Sequence, residues 1–306
     1  MTSVTTTPET QNGKLFEVSF EDERLLVINK PAGLVCHPTK GDAWSSLISR
    51  VRLYLGESGQ PHLINRLDRE TSGLVLVAKT QEAALSLRRL WETGQVQKRY
   101  VAIVHGVVEK ADGSIDAPLG RDTQSRVAIK DCVRADGAPS VTTYRKLIDF
   151  ERDGQPYSLL QVVPRTGRKH QIRIHLAHLG HPIVGDKLYG ADEQYYLDFV
   201  EGRLTEAQRC KLLLPNHALH AGQVSFRSPW EPSRATGPFG ELGSIESRPT
   251  LLKNRGRPDG GGARLRRAEE PASDEAGRDL VFAASPEEWF TDFLGASASE
   301  LEGNSV

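Results

Sequence analysis

Residues 65–73, NRLDRETSG, form a polar stretch that leads directly into the apolar run 74–78, LVLVA. Five consecutive apolar residues predict a strand that is buried on both faces of a sheet. The polar stretch is then a loop at the end of that strand, and loops on a rigid scaffold often carry reactive residues. Asp68 lies between Arg66 and Arg69, and neighbouring cations favour the ionised carboxylate, as suits a nucleophile or an electrostatic partner. An aspartate in a salt-bridged turn would give the same local pattern.

Strands and helices interleave on both sides of this stretch. Apolar runs predict strands, and apolar residues at helical spacing behind a capping residue predict helices. The predicted strands are 25–28, 74–78, 99–108, 141–149, 157–163 and 219–226. The predicted helices run from Asp42 to about Leu55 and from Thr80 to Trp91. This mixture predicts an α+β domain with a mainly antiparallel or mixed sheet flanked by helices and loops.

A second polar stretch, residues 98–102 (KRYVA), stands at the entry to the predicted strand 99–108. Side chains alternate between the two faces of a strand, so Tyr100, Ala102 and Val104 share one face. A tyrosine beside two cations can stack on a nucleobase. A tyrosine in the core of the sheet is the alternative interpretation.

A third polar stretch, residues 165–175 (RTGRKHQIRIH), concentrates cations at the start of a predicted helix. Thr166 is expected to cap this helix, whose apolar stripe would be Ile172, Leu176 and Leu179. Cations at a helix N-terminus suit an anion such as a phosphate, although a solvated helix start has the same composition.

A metal site is not expected from the histidines and cysteines. The histidines at 170, 175, 178 and 181 lack the i, i+4 pairing of a helical metal site and lie among arginines that repel a cation. The three cysteines include no C-x-x-C pair, which argues against a disulfide framework or a cysteine zinc site.

Composition and charge exclude several other classes of protein. The chain has no stretch of 18 apolar residues and no secretory signal at its start, so we expect a soluble cytoplasmic protein. The net charge of −1 argues at first against a nucleic-acid partner. Residues 1–235 carry a net charge of +4 and residues 236–306 a net charge of −5, however, so the near-neutral total conceals a basic part.

The composition changes where the charge changes. Residues 1–14 are expected to be a flexible N-terminus, 15–235 a catalytic domain, and 236–306 a largely disordered acidic tail rich in Gly, Pro, Ser, Arg and Glu. Within the tail, Ser285 offers an N-cap ahead of Pro286, and an apolar face precedes Gly295. Residues 285–295 are therefore expected to form a short helix, either docked or transient.

Taken in order and spacing, these stretches resemble the RluA-type pseudouridine synthases over about residues 15–232. The polar loop 66–73 is similar to the catalytic segment of that family, residues 98–102 to its second segment and 167–175 to its third. Residues 29–34 with 37–38, 181–190 and 219–221 complete the resemblance. Many relatives carry histidine where this chain has Asn65, so we expect an altered grip on RNA with catalysis retained. The S4-type RNA-binding domain that several relatives carry at the N-terminus is expected to be absent.

The resemblance implies the pseudouridine synthase catalytic fold and an enzyme that isomerises chosen uridines of rRNA or tRNA to pseudouridine, as a monomer with no cofactor and no metal. Asp68 is implied to be the essential aspartate, through attack at C1′ or as the base of a glycal route. Tyr100 would stack on the target uracil, and Arg173 would pair with Asp68. Arg66 would fill the gap that the flipped nucleotide leaves or bind the phosphate of that nucleotide.

Arg168 and His170 are implied to contact the RNA backbone. A non-catalytic RNA-binding protein on the same fold is the main alternative. A glycosidase-like hydrolase is disfavoured, because it needs paired carboxylates and only Glu70 lies close to Asp68 in sequence.

Overall fold

The computed structural model describes residues 16–38, 45–56, 59–230 and 278–295. Its strands are β1 (Glu17–Glu21), β2 (Leu25–Lys30), β3 (His62–Leu63), β4 (Ser72–Ala78), β5 (Gln97–His105), β6 (Asp112–Asp116), β7 (Leu119–Arg121), β8 (Asp131–Val133), β9 (Val141–Arg152), β10 (Gln155–Pro164), β11 (Leu219–Arg227) and β12 (Asp279–Ala283). Its helices are α1 (Leu47–Leu55), α2 (Gln81–Glu92), α3 (Gln171–His178), α4 (Gln194–Val200), α5 (Glu206–Leu212) and α6 (Glu288–Leu294).

Ten of the strands form one mixed sheet, as the sequence predicts. The order is β1-β2-β4-β11-β5-β10-β9-β6, with β12 paired to β11 and β3 paired to β4. Among the described strands, the pairing of β11 with β4 is parallel and every other pairing is antiparallel. Strands β7 and β8 form a separate ribbon. The α+β prediction is confirmed.

Strand β4 is buried along its whole length, because helices cover both of its faces. Leu74 and Leu76 pack in a cluster with residues of α2, whereas Val75 and Val77 pack in a cluster with residues of α1. The near-continuous apolar run that the sequence shows is what such a doubly covered strand requires. The loop that precedes β4 is therefore anchored at the centre of the sheet.

The strand β11 approaches β4 closely enough to require glycine at position 73. Gly73 has a φ of 111°, and a Cβ at this position would lie 2.6 Å from the backbone N of Ala221. Because residue 73 is glycine, Thr71 and Ser72 at the end of the polar loop can lie directly beside β11.

Two helix starts differ from their predictions. Helix α1 is capped by Ser46, whose side chain accepts a hydrogen bond from Ser49 N, while the predicted cap Asp42 lies outside the described residues. Helix α3 begins at Gln171 and not behind Thr166, because His170 takes a left-handed conformation with φ of 55° that breaks the helix there. The predicted cap Thr80 of α2 is confirmed.

The C-terminal residues 278–295 pack on the domain, although the sequence assigned them to an appendage after residue 235. Strand β12 pairs with β11, and Ser228 N donates to Arg278 O at 2.8 Å. Helix α6 lies within the predicted segment 285–295 and ends at Gly295, but its N-cap is Glu287 instead of Ser285. Phe290 and Phe293 of this helix are buried in the cluster that β5 and β10 form. The expectations for residues 1–14, for 236–277 and for the end of the tail concern residues outside those described.

Candidate active site

The loop between β3 and β4 presents Asp68 at the edge of the central strands. Asn65 fixes the start of this loop, because its side chain donates to Leu74 O at 3.1 Å and accepts from Leu76 N at 2.8 Å. Thr71 N donates to Asp68 O at 3.2 Å and closes a turn. The amide of Asn65 is therefore occupied in shaping the loop.

Asp68 and Arg173, which are 105 residues apart in sequence, form an ion pair. Arg173 Nη1 donates to Asp68 Oδ2 at 2.8 Å. The other two nitrogens of the same guanidinium bind Asp186, with Nε to Oδ2 at 2.6 Å and Nη2 to Oδ1 at 2.9 Å. Backbone N–H groups of Leu188 and Tyr189 donate to Asp186 Oδ1, each at 2.9 Å. The bidentate pair with Asp186 fixes the guanidinium, so that its remaining nitrogen is aimed at Asp68.

The electrostatics of this cluster keep Asp68 ionised. Burial would raise the pKa of the carboxyl, but the charge of Arg173 and, to a lesser degree, the proximity of His170 and His217 outweigh it and hold the pKa below its usual value. The Asp68 side chain retains 29% of its exposure, whereas that of Arg173 retains 7%. A carboxylate that is charged, held in place and still accessible can act as a nucleophile or a base toward a bound ligand.

Tyr100 lies on β5 between the two core clusters that meet at the site. Burial and then the negative charge of Asp68 raise the pKa of its phenol. The hydroxyl therefore stays protonated at physiological pH, and the ring is available as an apolar surface beside the carboxylate.

His170 does not stand where the sequence interpretation placed it. Its left-handed backbone turns the ring inward, where Nδ1 bonds the hydroxyl of Tyr189 at 2.8 Å and Nε2 lies 3.8 Å from Asp68 Oδ2. Its side chain is only 9% exposed. Burial is the main cause that lowers the pKa of this imidazole to about 4. A neutral, enclosed ring is poorly suited to the predicted contact with an RNA backbone, and His170 instead packs beside the ion pair of Asp68 and Arg173.

The remaining basic residues of the third polar stretch divide into two groups. Lys169 pairs with Asp131 at 2.9 Å. Arg165 and Arg168 are exposed, and Arg168 makes a long hydrogen bond of 3.4 Å to Pro139 O. Arg66 is exposed as well, and no ion pair joins it to another residue in the part of the chain that the structure describes. The exposed arginines can meet an anion in solution.

A second buried hydrogen-bond network, which the sequence analysis did not predict, holds the loop at Glu70 and Thr71. Lys187 Nζ bonds Glu70 Oε1 at 2.6 Å and Pro215 O at 2.8 Å. Thr71 Oγ1 bonds His217 Nε2 at 2.7 Å. Residues 186–190 enter the sequence analysis only through the family resemblance. Nothing in their spacing indicates that Asp186 would bind the partner of Asp68, or that Lys187 would bind Glu70. Both charged side chains are buried, and only the structure shows this.

The described residues contain no group of three His, Cys, Asp or Glu side chains that could hold a metal ion. His175 bonds Thr142 Oγ1 and Ala117 O, and His181 bonds His105 O. These two histidines therefore satisfy buried hydrogen-bonding groups. No helix within the described ranges is long and apolar enough to cross a membrane.

Comparisons with known proteins show which proteins this chain is similar to. A family model described as RNA pseudouridylate synthase matches residues 24–178. The chain is 35% identical over 219 residues to an uncharacterised RNA pseudouridine synthase of Bacillus subtilis, covering 70% of this chain and 65% of that protein. It is 37% identical over 218 residues to the ribosomal large subunit pseudouridine synthase D of Nitrosomonas europaea, covering 70% and 58%.

Other relatives are covered more completely. An uncharacterised RNA pseudouridine synthase of Chlorobaculum parvum is 35% identical over 236 residues, with 73% of this chain and 71% of that protein covered. Among solved structures, the human RNA pseudouridylate synthase domain containing 1 superposes with a TM-score of 0.57 at 26% identity, covering 72% of this chain and 82% of that one. The chain thus spans less than two thirds of the Bacillus and Nitrosomonas proteins and a larger share of the other two.

Proposed function

Because this chain belongs to the RluA-type RNA pseudouridine synthase family, we propose that it isomerises specific uridines of RNA to pseudouridine. The observation that carries the proposal is the ionised, accessible Asp68 held at 2.8 Å by Arg173 beside the ring of Tyr100. The name of the Nitrosomonas relative refers to the large ribosomal subunit, which favours rRNA as the substrate class, with tRNA as the alternative.

The chemistry requires breaking the N1–C1′ bond, rotating the uracil and joining its C5 to C1′, after which the proton on C5 leaves. Asp68 would take part either by attacking C1′ or by removing a proton to open a glycal route. In both routes the carboxylate must be ionised and correctly placed, and the Arg173 guanidinium supplies both conditions. Asp186 contributes by fixing that guanidinium from its other side.

Access to C1′ requires the target nucleotide to leave its stack, at a cost of a few kcal/mol. Tyr100 is suited to stack on the flipped uracil, and the exposed Arg66 on the same loop as Asp68 is suited to replace the lost stacking or to grip a phosphate. Arg168 is suited to a phosphate contact farther along the RNA. The raised pKa of Tyr100 favours a role as a neutral ring over a role as a phenolate base.

Release of tritium from RNA labelled at C5 of uridine tests the activity, because the C5 proton is lost only when the new bond forms. The wild-type protein should release tritium, Asp68→Asn should release none, and the exposed Asp116→Asn should behave as wild type. Binding of RNA with no release from any cellular RNA would favour the alternative, a non-catalytic RNA-binding protein on this fold.

The role of Arg173 is tested by separating turnover from affinity. Arg173→Ala should lower turnover far more than RNA affinity, because Asp68 loses its partner. The substitution also leaves the buried carboxylate of Asp186 without its cation. Arg173→Lys, which retains the positive charge but cannot form the bidentate pair with Asp186, is therefore the milder variant. A loss of affinity with unchanged turnover in both variants would contradict the role.

We also propose that the protein acts as a monomer in the cytoplasm and needs neither metal nor cofactor. Tritium release should persist in excess EDTA, and gel filtration should give the mass of one chain. A requirement for an added divalent cation would refute the metal-free mechanism.

A further inference from the structure

One carboxylate of the C-terminal segment 278–295, that of Glu287, bonds a loop that lies next to the loop carrying Asp68. Glu287 Oε2 accepts a hydrogen bond from the backbone N of Ala32 at 2.9 Å. Glu287 is the N-cap residue of α6, yet its side chain makes no capping hydrogen bond in that helix. An N-cap side chain ordinarily accepts from the second or third N–H of its own helix. In this protein the carboxylate is directed to a different part of the molecule.

Ala32 belongs to a short loop, residues 31–36, that a buried lysine ties to the loop carrying Asp68. Lys30 is fully buried, and its ammonium donates to Pro31 O at 2.8 Å, to Leu34 O at 2.9 Å and to Arg69 O at 3.2 Å. The three donors of one ammonium thus hold the first and the fourth residue of the short loop and the residue that follows Asp68.

Two further contacts join the same loops. Gly33 N donates to Arg69 O at 2.8 Å, and Arg69 Nε returns a hydrogen bond to Gly33 O at 3.2 Å. The sulfur of Cys36 lies 3.4 Å from both N and O of Leu67. Asp68 is therefore flanked on both sides by residues that the 31–36 loop holds.

The electrostatics connect Glu287 to the same lysine. Burial lowers the pKa of Lys30 to about 8, and the negative charges of Glu287 and Asp68 oppose this shift. A buried ammonium is costly unless negative or hydrogen-bonding groups surround it. Glu287 thus contributes twice, as a hydrogen-bond acceptor for Ala32 and as a counter-charge for Lys30.

We propose that Glu287 is a positioning residue for Asp68. It holds the 31–36 loop, and through Lys30, Gly33 and Cys36 the backbone on either side of the carboxylate that Arg173 orients is held in turn. The proposal rests on the proposed function for its effect on turnover, whereas the anchoring of the loops can be measured without any substrate. It makes the C-terminal segment part of the machinery that aligns the site.

Hydrogen exchange followed by mass spectrometry tests the anchoring in the full chain. Glu287→Ala should increase exchange in peptides that cover residues 31–36 and 66–71, with no change in peptides from α2. Glu287→Gln retains an oxygen acceptor for Ala32 N and should keep most of the protection. The control is Glu288→Ala, on the same turn with an exposed side chain, which should leave both loops unchanged. Unchanged exchange in Glu287→Ala would overturn the proposal.

Tritium release then tests the consequence for turnover. Glu287→Ala should lower kcat about tenfold, equivalent to about 1.4 kcal/mol in the barrier, with a much smaller change in KM. Below a pH of about 8 the ammonium of Lys30 is protonated and holds all three carbonyls, so wild-type kcat should decline as the pH rises through that value. Glu287→Gln removes the counter-charge, favours the neutral amine and should move this decline to lower pH.

The pH profile separates positioning from simple stabilisation, since a purely structural role would leave the position of the alkaline decline unchanged. Equal profiles for wild type and Glu287→Gln, together with unchanged kcat in Glu287→Ala, would refute the positioning role. If the wild type releases no tritium at all, the proposed function fails, and the hydrogen-exchange result alone decides whether Glu287 anchors the loops.

Discussion

Substitution of Phe290 by alanine should destabilise the whole domain, although the residue lies 16 positions before the last residue of the sequence. The ring of Phe290 is fully buried in the cluster that β5 and β10 form with α3. Removing a buried phenylalanine ring costs about 3–5 kcal/mol, through lost burial and the cavity left behind. A typical free energy of unfolding is about 5–15 kcal/mol, so this is a large share of the total.

The loss should be visible as a lower midpoint of thermal unfolding. For domains of this size, about 1 kcal/mol corresponds to roughly 2–4 °C in Tm, so Phe290→Ala should lower Tm by roughly 6–20 °C. The matched control is Val281→Ala in β12, because the side chain of Val281 is 58% exposed. That change should shift the stability by no more than about 0.5 kcal/mol. Far-UV circular dichroism, with the same heating rate for all variants, gives the comparison.

A second control separates the packed segment from the residues that precede it. Replacing residues 231–277 by a short Gly-Ser linker should leave Tm close to that of the full chain, because Ser228 and Arg278 are already hydrogen-bonded neighbours. Ending the chain at residue 235, by contrast, would remove β12 and α6. Equal Tm values for Phe290→Ala and Val281→Ala would refute the docking of α6 on the core.

Three further predictions concern pH, stacking and salt. Burial lowers the pKa of His220 to about 4 from an unfolded value of about 6.5. Between these two values the unfolded chain binds more protons than the folded protein, so the free energy of unfolding should fall by up to about 3 kcal/mol as the pH drops from about 6.5 to about 4. Urea titrations of His220→Gln should show a weaker dependence of this free energy on pH. Tyr100→Phe should keep most of the tritium release, whereas Tyr100→Ala should lose the stacking contribution of about 1–3 kcal/mol in kcat/KM; equal activity of the two variants would contradict stacking. Arg66→Ala and Arg168→Ala should each lower the slope of log K against log salt concentration by about 0.9 in RNA-binding titrations, and an unchanged slope would exclude a phosphate contact.

The central part of the fold could be predicted from local sequence, and the main ion pair from the family resemblance. The apolar run of β4 and the cap Thr80 are local signals, and the structure has both. The pair of Asp68 with Arg173 was implied by the family resemblance and is present in the structure. Asp153-Gly154 also joins β9 to β10 with positive φ at both residues, a two-residue turn that the sequence carries as an Asp-Gly signal.

The features that could not be predicted depend on long-range contacts or on one unusual backbone conformation. The left-handed φ of His170 shifts the start of α3 and turns its ring away from solvent, and no residue-type signal marks it. The pairing of β12 with β11 follows a segment whose composition indicates disorder, so composition did not indicate the strand, although the helix within 285–295 was predicted. The contact of Glu287 with Ala32 N joins residues that are far apart in sequence, so only the packed structure shows it.

The neighbouring positions of Ser228 and Arg278 have a consequence for how the molecule can be divided. A protease cut within residues 231–277 would break the chain between two strands, β11 and β12, that pair side by side. The 278–295 portion would then be a detachable peptide ligand, bound through its strand and its phenylalanines, that brings Glu287 to the site in trans. Adding back such a peptide to a chain ending at residue 230 should then make the proposed tritium release depend on peptide concentration.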